Sequence, residues 1–164
     1  MGNIKKMVGR SKKLAFYGIP GDTEQITYKR MTGFTSLSQS KNPKEYSRQY
    51  VDEDVEQTDI VGYSPSISYA FDQYKDNAVH EDIIKITDEE LTTEDAVREI
   101  IIVDMTSETK AAKKRSYSVI PDAEGDTTDA YTYTGNFKAK SKIVLGVATS
   151  EDNWETITFT ENEK

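Results

Sequence analysis

Cysteine is absent from this chain of 164 residues, which excludes a disulfide scaffold and any thiolate-ligated zinc or iron centre. Histidine occurs once, at position 80, so any imidazole chemistry must rest on that residue. His80 precedes Glu81, but the second histidine of a helical zinc-protease motif would have to stand where Ile84 is. No Gly-x-Ser-x-Gly elbow presents a serine, and no glycine-rich phosphate loop opens a helix. His80 therefore reads as a structural or surface histidine near the start of a helix. Long hydrophobic runs are also missing. The N-terminus carries Lys5, Lys6, Arg10, Lys12 and Lys13 with no apolar run behind them, and is expected to be neither a secretory signal nor a membrane anchor.

Hydrophobic residues make up only 35% of the chain, so the core is expected to be thin, as in a small sandwich or a protomer that completes its burial against neighbours. Ten tyrosines, five phenylalanines and several β-branched runs argue against disorder and favour strands. The net charge of −8 conceals an asymmetry: the first thirteen residues carry five cations and no acid, leaving −13 on the remainder. An acidic body opposes tight DNA binding, because affinity for duplex comes chiefly from cations that neutralise phosphates. The basic arm, residues 1–13, is consistent with a solvated tail or with a tether that orders on the acidic body of another subunit.

Acidic clusters do not resolve into metal sites. Asp122, Glu124, Asp126 and Asp129 resemble a calcium loop at first sight, but the helix-loop-helix template places glycine at Thr127 and glutamate at Tyr133. Asp52, Glu53, Asp54 and Glu56 read as a solvated run. No pair among the 29 acids is singled out as a general acid and base, so the expectation is a non-enzyme without cofactors.

Patterning along the chain is mostly of period two. Leu14–Tyr17 and Gln25–Met31 read as a hairpin around the turn formers Gly18 to Asp22. Glu45–Asp52 alternates with modest apolarity on both faces, and Ser66–Phe71 sets Ile67, Tyr69 and Phe71 on one side. From Asn77 the period changes. Val79, Ile83, Ile84 and Ile86 make a helical stripe with Asp76 or Asn77 as N-cap, so one helix is expected over 78–86. Val97–Met105, with Ile100 to Val103 apolar on both faces, reads as a central covered strand. Lys114–Ile120 and Ala130–Lys142 flank an acidic turn. The second runs on into Ile143–Ala148, with Phe137, Ala139, Ser141, Ile143, Leu145 and Val147 on one face and Lys138, Lys140 and Lys142 on the other. Those lysines fit a solvent face or an intersubunit contact equally. A last strand is expected over 155–159. The expected organisation is a single domain over 14–160, with residues 161–164 as a tail.

Gly33 to Gln73 (GFTSLSQSKNPKEYSRQYVDEDVEQTDIVGYSPSISYAFDQ) holds the most distinctive segment. Phe34 to Glu45, rich in serine, threonine and lysine, reads as a long polar loop between strands, and loops of that length inside compact domains are usually functional. Together with NAVHEDIIKI and SYSVIPDAEGDTTDAYTYTGNFKAKSKIVLG, this wording resembles the major tail tube proteins of long-tailed bacteriophages, particularly of Gram-positive hosts, or the tube proteins of phage-tail-like particles. The resemblance covers about residues 14–159 and rests on segment order, with no catalytic signature.

The resemblance implies a mainly β fold, a sandwich or barrel of antiparallel strands with one flanking helix, forming hexameric rings stacked into a tail tube for DNA ejection. It implies a virion location after assembly in the host cytoplasm. The implied partners are the chain itself, a tail-tip or baseplate initiator, a tape measure and a tail terminator, with DNA passing unbound and no membrane insertion. Phe34, Thr35, Ser36, Ser38, Ser40, Lys41, Asn42, Pro43 and Lys44 would form an inter-ring loop, so deleting Ser36 to Asn42 would stop stacking and spare the fold. Gln25, Thr27, Lys29, Ser47 and Gln49 would face the lumen, with Ile26, Tyr28, Tyr46 and Tyr50 on the opposite faces. Lys5, Lys6, Arg10, Lys12 and Lys13 would form an intersubunit arm. A monomeric β-sandwich attachment module and a ring-forming terminator or neck protein are the alternatives.

Overall fold

The computed structural model describes residues 7–125 and 128–163. Eleven strands and one α-helix follow in the order β1 (Lys13–Pro20), β2 (Ile26–Arg30), β3 (Phe34–Ser40), β4 (Pro43–Arg48), β5 (Gln57–Tyr63), β6 (Ser66–Asp72), α1 (Ala78–Asp88), β7 (Val97–Asp104), β8 (Ala111–Glu124), β9 (Thr132–Ala139), β10 (Val144–Thr149) and β11 (Thr156–Glu161). Nine strands form one antiparallel sheet ordered β10-β11-β2-β1-β7-β8-β9-β6-β3, and β10 also pairs with the start of β8. That extra pairing closes six strands, β1, β2, β11, β10, β8 and β7, into a small barrel. β9, β6 and β3 continue the sheet outward from β8.

β8 is the strand that serves both halves. Its first residues pair with β10 (Val144↔Lys114 to Val147↔Ala111), and its later ones pair with β9 from Tyr117↔Ala139 onward. β7 lies between β1 and β8, and its two faces feed two cores. Ile101 and Val103 point into the barrel with Phe16, Ala112, Ala148 and Ile157. Ile100 points the other way, into a larger core with Tyr17, Tyr69, Phe71, Phe137 and the helix residues Val79, Ile83 and Ile86. The doubly apolar Ile100 to Val103 run thus forms the covered central strand its composition requires. Barrel closure also explains Gly146: a Cβ there would lie 2.2 Å from the Thr160 carbonyl oxygen.

Helix α1 forms where expected and runs one turn fraction further, to Asp88. Asn77 caps it by accepting the His80 backbone N–H at 3.2 Å, and its buried stripe packs on the concave sheet. On β6 the alternation buries Ile67, Tyr69 and Phe71; Tyr69 stacks with Phe137, and Phe71 with Tyr133 and His80. No helix among the described residues is long and apolar enough to cross a membrane.

Three sequence expectations fail. Gly18 to Pro20, read as turn formers, end β1 and pair with Tyr28 to Ile26, so the turn lies at residues 21–25. Phe34 to Glu45 is not a loop: it is β3, a two-residue joint at Lys41-Asn42, and the start of β4. Its polarity reflects an edge position, where backbone pairing with β6 supplies the order and only Phe34 and Leu37 turn inward. The unbroken alternation assigned to residues 130–148 is also interrupted, between β9 and β10. Odd residues are buried before the break (Tyr133, Phe137) and even ones after it (Gly146, Ala148), so Leu145 is exposed. The switch moves the strand's inward face from the helix-covered core to the barrel.

Candidate assembly surfaces

β4 and β5 form a separate two-stranded sheet that pairs with no other strand among the described residues. It continues the β3/β6 pair outward. The joint is built by Asn42, whose φ of +46° is one that asparagine tolerates and most side chains do not. Its Nδ2 donates to the Ser64 carbonyl at 3.0 Å and to Ser66 Oγ at 3.3 Å, while the Ser64 N–H donates to the Asn42 carbonyl. Beyond the joint the hairpin reaches roughly 20 Å at about 3.3 Å per residue of β4.

Its internal contacts include two across the strands, an Arg48–Asp59 ion pair at 2.6 Å and a Ser47–Thr58 hydroxyl pair at 3.0 Å, and the Arg48 guanidinium lies beside Tyr46 and Tyr50 of its own segment. Each such pair contributes about 0.2–1 kcal/mol, which leaves an isolated hairpin marginal. Tyr46, Tyr50, Val51, Val55, Ile60, Val61 and Tyr63 are all exposed, Val51 completely. Exposed apolar side chains gathered on one projecting element mark a contact surface.

The residues expected to form an inter-ring loop are divided by the structure. Phe34 packs edge-on against Phe71 and His80, and Thr35 donates to the Ala70 carbonyl at 3.2 Å. Ser36, Ser38 and Ser40 lie exposed on β3, opposite Ala70, Ser68 and Ser66. Lys41 and Asn42 make the joint, and Pro43 and Lys44 open the hairpin opposite Tyr63 and Gly62. The candidate lumen residues fall in two places. Thr27 and Lys29 lie on β2 of the barrel, with Gln25 in the turn before it, whereas Ser47 is on β4 and Gln49 in the hairpin turn, donating to the Glu53 carbonyl at 3.0 Å.

Of the arm, Lys5 and Lys6 lie outside the described residues. Arg10 donates to the Lys13 and Leu37 carbonyls, Lys12 ends a single helical turn, and Lys13 opens β1 with an ion pair to Asp104 at 2.9 Å. Asp126 and Thr127 of the acidic turn are likewise outside the described residues. Among those described, no three acidic or imidazole side chains converge as a metal would require.

Two features had escaped sequence reasoning. Opposite the helix-covered end, the concave sheet opens into a groove of about 460 Å³ with an apolar floor, including Ile67, Ile100 and Ile102, and a rim containing Lys41, Lys113 and Arg115. The alternation Lys113, Arg115, Tyr117 along β8 was its only trace in the sequence, and the β3 contribution depends on tertiary pairing. The second feature is a nearly buried ion pair. Arg98 Nε lies 2.8 Å from Asp82, each side chain 11% exposed, and the Tyr17 hydroxyl donates to the same carboxylate at 2.5 Å. Burial, then the Asp82 charge, holds the Tyr17 phenol well above its usual range. The pair ties α1 to β1 and β7, and offers no open position for a substrate.

No protein-family model and no curated protein sequence matches the chain. Its fold, however, matches solved structures. A chain in the tail of an empty gene transfer agent particle, refined with C6 symmetry, aligns over 84% of this chain and 97% of its own length, with a TM-score of 0.60 and 14% identity. The fold is shared with tail chains. A chain in the virion of the native gene transfer agent particle aligns over 85% and 98%, with a TM-score of 0.58 and 14% identity. A chain of the sixfold-symmetrised anti-feeding prophage baseplate aligns over 88% and 98%, at 0.51 and 7%. Each alignment takes in nearly the whole neighbouring chain.

Proposed function

We propose that this protein is a structural tail component, the tube subunit of a phage or phage-tail-like particle, assembling as stacked hexameric rings that form a conduit for DNA. The observation that carries this reading is the fold match, over 84% of this chain and 97% of the neighbour, to a chain of a sixfold gene transfer agent tail. The projecting hairpin supports it, because its exposed tyrosines and valines find no burial within the protomer. In this reading the inter-ring contact moves from residues 34–45 to the hairpin of residues 43–63. A closed multi-chain barrel would also protect sheet edges such as β3. The initiator, tape measure and terminator partners, the tethering role of Lys5, Lys6 and Lys12, and host-cytoplasm assembly belong to the same proposal. The Gram-positive host type rests on sequence wording alone.

Negative-stain electron microscopy of the concentrated protein, with light scattering, tests the reading. Hollow tubes or stacked sixfold rings are expected. A second reading is favoured by the baseplate neighbour: a ring-forming component at one end of the tail, which would give single rings under the same conditions. Protein that stays monomeric even with tail-tip complexes added would refute both and favour an attachment module.

A further inference from the structure

The groove at the open end of the concave sheet has an unusual charge for its setting. The chain carries a net charge of −8, yet Arg10, Lys13, Lys41, Lys113 and Arg115 all line this one site, against a single carboxylate, Asp104, which Lys13 already pairs. The cations crowd one another. Partial burial lowers the Lys41 pKa, and the Lys113 and Arg115 charges lower it further. Arg115 Nε is buried with no hydrogen-bond partner among the described residues, a cost that an incoming acceptor would remove. The floor is apolar, so a phosphate or a bare polyanion would leave it wet. An occupant that satisfies both parts must combine carboxylates with apolar side chains.

One exposed segment of this same chain has that composition. The turn joining β4 to β5 carries Asp52, Glu53, Asp54 and Glu56 interleaved with Val51, fully exposed, and Val55, 72% exposed. Of the other acidic stretches, residues 88–95 offer only Leu91, which already packs against the helix-covered core, residues 151–155 only Trp154, which packs against the barrel core, and residues 122–129 only Ala123. A protomer cannot fill its own groove with its own tip. The hairpin leaves the groove's rim at Lys41-Asn42 and carries the tip roughly 20 Å away along a paired ladder with one irregularity, at Lys44-Glu45. We infer that the acidic hairpin tip, residues 50–56, of one copy docks into the cationic apolar groove of a second copy, Val51 and Val55 covering the floor and the carboxylates meeting Lys41, Lys113 and Arg115. This rests on the tail-component reading and names the receptor for its projecting hairpin. The contact joins two different patches, tip to groove, and a head-to-tail repeat of it builds rings or stacks.

The absence of cysteine makes a clean test possible. Full-length V51C and full-length I143C, the latter at the groove mouth, are mixed at high concentration and oxidised, with V51C plus E151C as the geometric control. The expected result is a disulfide-linked pair for 51 with 143 at least tenfold above the control. The yield should drop about tenfold when K41E and K113E are added to the groove copy, and return when the tip copy also carries D52K and D54K. Yield equal to the control, or yield indifferent to charge reversal, overturns the inference. Microscopy of the wild-type protein separates the two claims. Tubes without the 51–143 link would leave the tube reading standing and remove the groove, whereas the link without rings or tubes would do the reverse.

Discussion

Removing the hairpin should separate assembly from folding. Replacing Glu45 to Val61 with Asn-Gly keeps the Asn42–Ser64 joint and closes β4 on Gly62 through a two-residue turn suited to a hairpin. The deleted residues contribute nothing to either buried core, so no transfer free energy is lost. What changes is loop closure. The connection between β3 and β6 shortens to well under half its length, which by the three-halves RT ln n rule favours the shortened chain by about 0.8 kcal/mol. Against that stand a few cross-strand pairs of about 0.2–1 kcal/mol each, largely offset by the backbone entropy of ordering the hairpin. The net change should lie within about 1 kcal/mol, or about 2–4 °C in Tm for a domain of this size. Urea denaturation followed by Trp154 fluorescence measures it, and electron microscopy should show no tubes. A loss above about 2 kcal/mol would refute the reasoning, because it would mean the hairpin packs on its own body. The contrasting deletion, Ser36 to Asn42, removes most of edge strand β3 with Leu37 and the joint; it should unfold or severely destabilise the protein, contrary to the loop reading.

Three further outcomes follow from the interior. His80 is fully buried, its Nε2–H donating to the Thr32 carbonyl at 2.9 Å and its Nδ1 accepting from the Tyr74 N–H, so burial lowers its pKa below 6.5 despite the Thr32 bond. A base whose folded pKa is depressed stabilises fully above 6.5 and loses that contribution as pH falls, so the unfolding free energy from urea denaturation should drop between pH 6.5 and 5 by at most about 1.4 kcal/mol per pH unit. H80F should flatten that slope, and since this is the only histidine an unchanged slope would sink the assignment. D82A strands Arg98 and the Tyr17 hydroxyl and should cost about 3 kcal/mol; a cost under 1 in chemical denaturation would show the pair to be effectively solvated. The Tyr69 hydroxyl is buried with no partner among the described residues, so Y69F should be neutral or stabilising by up to about 1 kcal/mol, whereas Y17F should destabilise. Thermal melts of the two variants side by side decide between these signs.

Local signals in the sequence were sufficient where the determinants are local. Helix α1 is specified by Asn77 and the stripe Val79, Ile83, Ile86, whereas the β1/β2 hairpin was legible as a hairpin with its turn placed too early, because Gly18 to Pro20 are held in the ladder by Ile26 to Tyr28. The central place of β7 follows from a run apolar on both faces, a property no tertiary contact has to supply. The polar edge strand β3 could not be read in this way. Four serines and threonines carry no burial signal, and its order comes from the hydrogen-bonded ladder to β6, a strand whose pairing is not encoded within β3 itself. The phase reversal between β9 and β10 was hidden for the same reason: which face is inward changes when the strand passes from one core to the other, and only barrel closure through β8 and β11 decides that. Composition alone fixed the absence of thiol chemistry and the lack of imidazole pairs. The cationic groove belongs wholly to the tertiary structure, because it gathers Lys13 of β1, Lys113 of β8 and Lys41 of the joint after β3, and charge becomes a recognition surface only where folding concentrates it.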